Sequence, residues 1–109
     1  MIMIRLFCAG GASTSILARK MREAAQRRGL DVTVTFGGVH DLEQMKMEEL
    51  VQADVALLGP QVGYTKGYVE DKCAEAGVPL AVIPMRDYGM CDGEAVLGLA
   101  LSMYEGQDA

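Results

Sequence analysis

The sequence predicts an α/β domain: a four-stranded parallel sheet with helices on both faces. Three observations carry that expectation. Short apolar or β-branched runs at 3–7, 32–36, 55–58 and 80–83 alternate with longer segments of helical period. Each run is followed closely by Gly or Pro, which punctuate the chain. The run Val55-Ala56-Leu57-Leu58 is apolar without alternation, as in a strand covered on both sides.

The elements follow in order. Met3-Ile4-Arg5-Leu6-Phe7 reads as a first strand and Cys8 to Ser15 as a Gly-containing loop. A helical pattern opens at Thr14 with Ile16, Leu17, Met21, Ala24 and Ala25, and Gly29 terminates it. Val32 to Phe36 is a second strand, broken by Gly37-Gly38. Leu42, Met45, Met47 and Leu50 suggest a second helix. The strand 55–58 is closed by Gly59-Pro60, a third helix is expected over 64–76 with its stop at Gly77, and Leu80 to Ile83 forms the fourth strand, ended by Pro84. Pro84 to Gly93 reads as a loop, and 93–104 as the last helix. Strands alternating with helices imply right-handed crossovers. For four strands the flavodoxin-like order 2-1-3-4 is the natural result, with residues 1–109 forming one domain and the ligand site beyond the carboxyl ends of the strands.

Composition narrows the function. Half of the 109 residues are hydrophobic, enough for a core without disulfides or metals. The apolar runs are too short to span a bilayer. Met1 to Leu6 does not read as a signal peptide, so a cytoplasmic chain that is not membrane-inserted is expected. Three cysteines without a CxxC pair suggest neither a zinc site nor a disulfide framework, and no metal or cofactor is expected. The net charge is −5, which argues against nucleic acid as partner. It conceals an asymmetry. Residues 1–30 hold six basic residues, Arg5, Arg19, Lys20, Arg22, Arg27 and Arg28, against Glu23 alone; the remainder holds four bases against fourteen acids. This basic stretch is either an anion-attracting rim or the solvated face of a helix.

Cys8 carries the chemistry. It ends the first strand, and Ala9-Gly10-Gly11-Ala12-Ser13-Thr14-Ser15 leads into a helix. Glycines let successive amides curl around an anion. The helix amino end adds free amides and a positive dipole, while Ser13, Thr14 and Ser15 offer hydroxyls. The same field favours the thiolate, the nucleophilic form. Covalent capture of a phosphoryl group on Cys8 fits this arrangement; so does a structural cysteine before an ordinary capped turn. Cys, five residues, then Arg and Ser or Thr resembles the phosphate loop of low-molecular-weight tyrosine phosphatases, but here Thr14 takes the place of the arginine that clamps the phosphoryl group. Such a loop is expected to hold phosphocysteine without hydrolysing it readily.

Leu6 to Ser15, Leu57-Leu58-Gly59-Pro60-Gln61-Val62, and Asp87-Tyr88-Gly89 through Asp92-Gly93 together resemble the enzyme IIB component of the sugar phosphotransferase system, in its lactose, cellobiose and chitobiose group. The likeness runs in order along essentially the whole chain. It departs at Gly11, where a bulkier residue is common, and at Cys91, where an apolar one is usual. The resemblance implies a phosphotransferase whose Cys8 takes phosphate from a phosphohistidine of enzyme IIA. It then passes the group to a disaccharide entering through the membrane channel, enzyme IIC.

Around Cys8 several residues carry two readings each. Gln61 and Tyr64 either flank the phosphate or dock a partner, or else cap a helix and half-bury a ring. Tyr88 either covers Cys8 or packs within its loop. Arg19 and Lys20 either attract a partner or face solvent. Asp87 as a general acid and His40 as a phosphoacceptor are the weaker alternatives to turn and helix-start roles. Cys73 reads as a small core residue, as do Met45, Met47 and Met103. A cysteine phosphatase or arsenate-reductase-like enzyme is the competing class. A receiver domain is disfavoured because Asp54 begins its strand, and flavin or nucleotide binding lacks the motifs.

Overall fold

A computed structural model describes residues 2–8, 12–38, 53–60 and 66–107 of the chain. The elements are β1 (Ile2–Cys8), α1 (Ala12–Arg27), β2 (Val32–Gly38), β3 (Val55–Leu58), α2 (Lys66–Ala76), β4 (Leu80–Val82), α3 (Met85–Gly89) and α4 (Gly93–Gln107). The sheet has the order β2-β1-β3-β4 with every pair parallel, as the sequence predicts. The suggested helix over Leu42 to Leu50 lies outside the described residues.

Strand alternation sorts the core into two clusters. Ile4, Leu6, Val34, Val55 and Leu57 face α1 and α4, meeting Leu17, Ala18, Met21, Val96, Leu97 and Ala100. Phe7, Ala56 and Leu58 point the other way, toward Val69 and Cys73 of α2 and Val78. The period of 2 in the strands thus divides one sheet between helices on opposite faces. Burying a large aliphatic side chain in either cluster contributes about 1.5–3 kcal/mol.

Two glycines end helices by the same device. Gly29 and Gly77 have φ of +68° and +75°. After α1, the Gly29 and Leu30 amides donate to Gln26 and Ala25; after α2, the Gly77 and Val78 amides donate to Ala74 and Cys73. Both are Schellman closures, which satisfy the last helical carbonyls and favour glycine at the left-handed position.

Some boundaries shift by one to three residues, with β1 at Ile2–Cys8, β4 ending at Val82 and α4 running on to Gln107, and three further differences bear on the site. β2 runs on through Gly37 and Gly38, which pair with Phe7 and Cys8, because an inner neighbour supplies a ladder that outweighs glycine's flexibility. α1 begins at Ala12 rather than Thr14; its first-turn amides need no intrahelical partner, so no apolar period announces them. The segment after Pro84, expected as loop, contains α3, whose turn is set by Tyr88 N–H donating to the Pro84 carbonyl at 3.0 Å.

At the amino edge, the Asp54 carboxylate accepts from the Met3 amide at 2.9 Å, while the Asp54 amide donates to the Met3 carbonyl. Asp54 is thereby a register clamp between β1 and β3, at the end of the sheet opposite Cys8.

Candidate functional site

The strands end nearly level at the carboxyl edge. Cys8 pairs with Gly38 of β2. On its other side the Gly59 amide donates to the Phe7 carbonyl at 2.8 Å, and the Ile83 amide donates to Leu58 at 2.9 Å. Cys8 therefore closes an inner strand with a neighbour on each side, and α1 starts four residues later. Of the expected phosphate loop, Ala9, Gly10 and Gly11 lie outside the described residues, as do Gln61, Tyr64 and His40. Ala12, Ser13, Thr14 and Ser15 form the first turn of α1 rather than loop. That turn carries no acidic side chain, so its own residues leave the positive end of the helix dipole uncompensated.

Thr14 does not sit on an open rim. It is buried, 2% exposed, at the head of the stripe Thr14, Leu17, Ala18, Met21, Ala24 and Ala25. Its hydroxyl lies 3.0 Å from the phenol oxygen of Tyr88, itself only 9% exposed. Tyr88 belongs to the α1–α4 core cluster. The position that bears an arginine in the resembling phosphatases is here closed by a tyrosine from α3, bonded to Thr14. The sequence placed both residues near the site, but nothing local joins positions 74 apart.

The basic stretch divides. Arg19 shares a shallow groove with Ser15, Ile16, Arg22 and Phe36 and makes an exposed ion pair with Glu23 at 3.8 Å. Lys20 faces the other side of α1, beside Met90, Cys91, Asp92 and Gly93. Arg27 and Arg28 both donate to the Glu94 carboxylate, at 3.1 and 2.7 Å. The hydrogen bond from Arg27, supported by Arg28, holds that carboxyl below its ordinary 4.5. Arg5 lies in β1 with its guanidinium 5.7 Å from the centre of the Phe7 ring. Its buried Nε has no partner among the described residues. The basic stretch, read from the charge count as either an anion-attracting rim or one solvated helix face, is thus divided between separate faces of α1, because successive helical residues are about 100° apart.

The turn between α3 and α4 is tightly built. Cys91 holds a left-handed φ of 49°. Asp92 caps α4, its carboxylate accepting from the Ala95 amide at 3.1 Å. Gly93 lies directly against the backbone of Lys20 and Met21. Asp87 is half-buried on α3, its carbonyl accepting from the Asp92 amide. Cys73 is fully buried, and burial pushes its thiol up to about 11, which suits packing rather than reactivity.

A cysteine at the end of an inner strand of a 2-1-3-4 parallel sheet, four residues before a helix, defines the class: a parallel α/β protein with a cysteine at its carboxyl edge. The particular family follows from comparison. Residues 3–99 match the family described as PTS system, Lactose/Cellobiose specific IIB subunit, and the chain belongs to it. It is 45% identical over 98 residues to the galactose-specific EIIB component of the phosphotransferase system from Lactococcus lactis subsp. cremoris, spanning 89% of this chain and 91% of that one. The cellobiose-specific EIIB component of Lactococcus lactis subsp. lactis matches with the same identity and coverage. Among solved structures, the cellobiose-specific IIB component from Borrelia burgdorferi superposes with a TM-score of 0.77 at 30% identity, covering 96% of this chain and 93% of that one. The lactose-specific IIB domain from Streptococcus pneumoniae shares the fold, with a TM-score of 0.79 at 17% identity over 93% and 95% of the two chains. The chain is therefore a sugar phosphotransferase component of the lactose/cellobiose group. No helix among the described residues is long and apolar enough to cross a membrane.

Proposed function

We propose that residues 1–109 form one cytoplasmic IIB domain that carries a phosphoryl group on Cys8. The observation that supports this most is the place of Cys8: the end of inner strand β1, four residues before α1, in a chain of the IIB family. The Cys8 thiolate attacks the phosphorus of a phosphohistidine on enzyme IIA; the P–N bond breaks and an S–P bond forms. In the second step a sugar hydroxyl presented by enzyme IIC attacks the same phosphorus. The hydroxyl gives up its proton, the S–P bond breaks, and the thiolate is regenerated. Amides of Ala9 to Ser15 hold the phosphoryl oxygens between the two steps. Thr14 in place of an arginine leaves hydrolysis slow.

The acceptor is a disaccharide of the cellobiose, chitobiose or lactose kind. Relatives named for galactose, for cellobiose and for oligo-β-mannoside all resemble this chain, which supports placing sugar choice in the channel component. Enzyme IIA meets the carboxyl edge of the sheet, with Gln61 and Tyr64 as its candidate contacts from the sequence, while Tyr88 is buried and bonded to Thr14. The separate faces of Arg19 and Lys20 speed encounter with an acidic surface.

Incubation with phosphoenolpyruvate, the general phosphotransferase proteins and enzyme IIA tests the reading by intact and peptide mass. One phosphoryl group is expected, on Cys8, and none on Cys8→Ser. Normal labelling of Cys8→Ser, or phosphate found elsewhere, overturns it.

A further inference from the structure

We propose that Tyr88 is a positioning residue for Cys8, acting through its buried hydrogen bond to Thr14; as a role in transfer, this rests on the carrier reading above. Cys8 and the start of α1 are separated by only residues 9–11. With so short a connection, whatever fixes the first turn of α1 also limits where Cys8 can stand relative to that turn. Thr14 lies in that turn, and the Thr14–Tyr88 bond of 3.0 Å joins it to α3, which follows β4. In the order β2-β1-β3-β4 the bond joins the first turn of the helix after β1 to the short helix after β4. It ties the two helices together on the α1–α4 face of the sheet like a crossbar.

Packing alone does not ask for these two hydroxyls. Phe and Val fill similar volumes without polar atoms, and a hydroxyl buried without a partner costs free energy. Thr14 and Tyr88 are 2% and 9% exposed, and among the described residues each hydroxyl has the other as its partner. A bonded pair admits one alignment of α1 against α3, whereas two apolar side chains would slide. α3 itself is held from behind: the Asp92 amide donates to the Asp87 carbonyl at 2.9 Å, and Asp92 caps α4. The anchor of the first turn is therefore α4, which is packed along α1 through Met21, Val96, Leu97 and Ala100. The amino end of a helix favours a nearby thiolate. Loss of the crossbar lets the first turn move, and the thiolate loses part of that support.

The test uses Tyr88→Phe, Thr14→Val and the double variant. Alkylation by iodoacetamide is followed at the Cys8 peptide alone by mass spectrometry as a function of pH, and phosphoryl transfer from phosphorylated enzyme IIA is timed in parallel. Tyr88→Phe is expected to raise the midpoint of the Cys8 pH profile by about half a unit. Transfer should slow roughly three- to tenfold, the size of one neutral hydrogen bond. The double variant should be no worse than the poorer single one, since both remove the same bond. Thr14→Val breaks the bond from the other side and decides the matter if Tyr88→Phe does not fold. A pH profile and transfer rate equal to wild type, with only the melting temperature lowered, overturn the positioning role and leave the carrier reading standing. A shifted thiol profile in a protein whose wild type accepts no phosphate supports the positioning of the thiol and overturns the carrier reading instead.

Discussion

Gly93→Ala should destabilise the domain even though it places a better helix former in a helix. An ideal Cβ at Gly93 would lie 2.5 Å from the carbonyl carbon of Lys20, 2.6 Å from its oxygen and 2.7 Å from the Met21 nitrogen. All three atoms are backbone in the middle of α1, so no side chain can swing away. The amino end of α4 must then back off from α1, loosening Asp92's cap and the Arg27 and Arg28 contacts to Glu94. Overpacking of this kind costs about 1–3 kcal/mol, and alanine's helix propensity offsets at most roughly 1 kcal/mol of it. A net loss of about 1–2 kcal/mol corresponds to a melting temperature lower by roughly 5–15 °C for a domain of this size. Gly98→Ala, in the same helix with nothing within 4 Å of its Cβ, is the control; it should gain a few tenths to about 1 kcal/mol. Thermal unfolding followed by circular dichroism measures both. A Gly93→Ala protein as stable as wild type would show that α1 and α4 do not touch at this point and would refute the argument.

Two further outcomes follow from titrating groups. The Glu94 carboxyl is held low chiefly by the Arg27 hydrogen bond, so its stabilising contribution is full above the ordinary carboxylate range. That contribution is lost as pH falls through the folded value below 4.5. Glu94→Gln should therefore lower stability near neutrality and show a shallower loss on acidification than wild type; parallel acid curves would contradict the pairing. Cys73, raised by burial to about 11, should resist alkylation at pH 8 until denaturant is added. Its contribution to stability should decline above about pH 9, where the unfolded chain ionises first. Native labelling of Cys73 as fast as that of half-exposed Cys91 would sink this reading.

Sequence alone determined the frame of this protein. Apolar runs and helical periods are local properties, so the four strands, α1, α2 and α4 were legible, as were the glycine stops at 29 and 77. The 2-1-3-4 order followed because right-handed crossovers leave few alternatives. Cys8 was legible as the candidate nucleophile because a strand, glycines and hydroxyls adjoin it in the chain. The tertiary structure decided what depends on distant residues meeting. It extended β2 through Gly37 and Gly38, since pairing with β1 overrides a local breaker. It turned the segment after Pro84 into α3, because that short helix gains its support from Tyr88 packing on a core that local pattern does not show. It split the basic stretch between two faces of α1 and tied Arg27 and Arg28 to Glu94. It also seated Gly93 against α1 and turned Thr14 inward to Tyr88, contacts whose free energy exists only once the chain has brought both partners together.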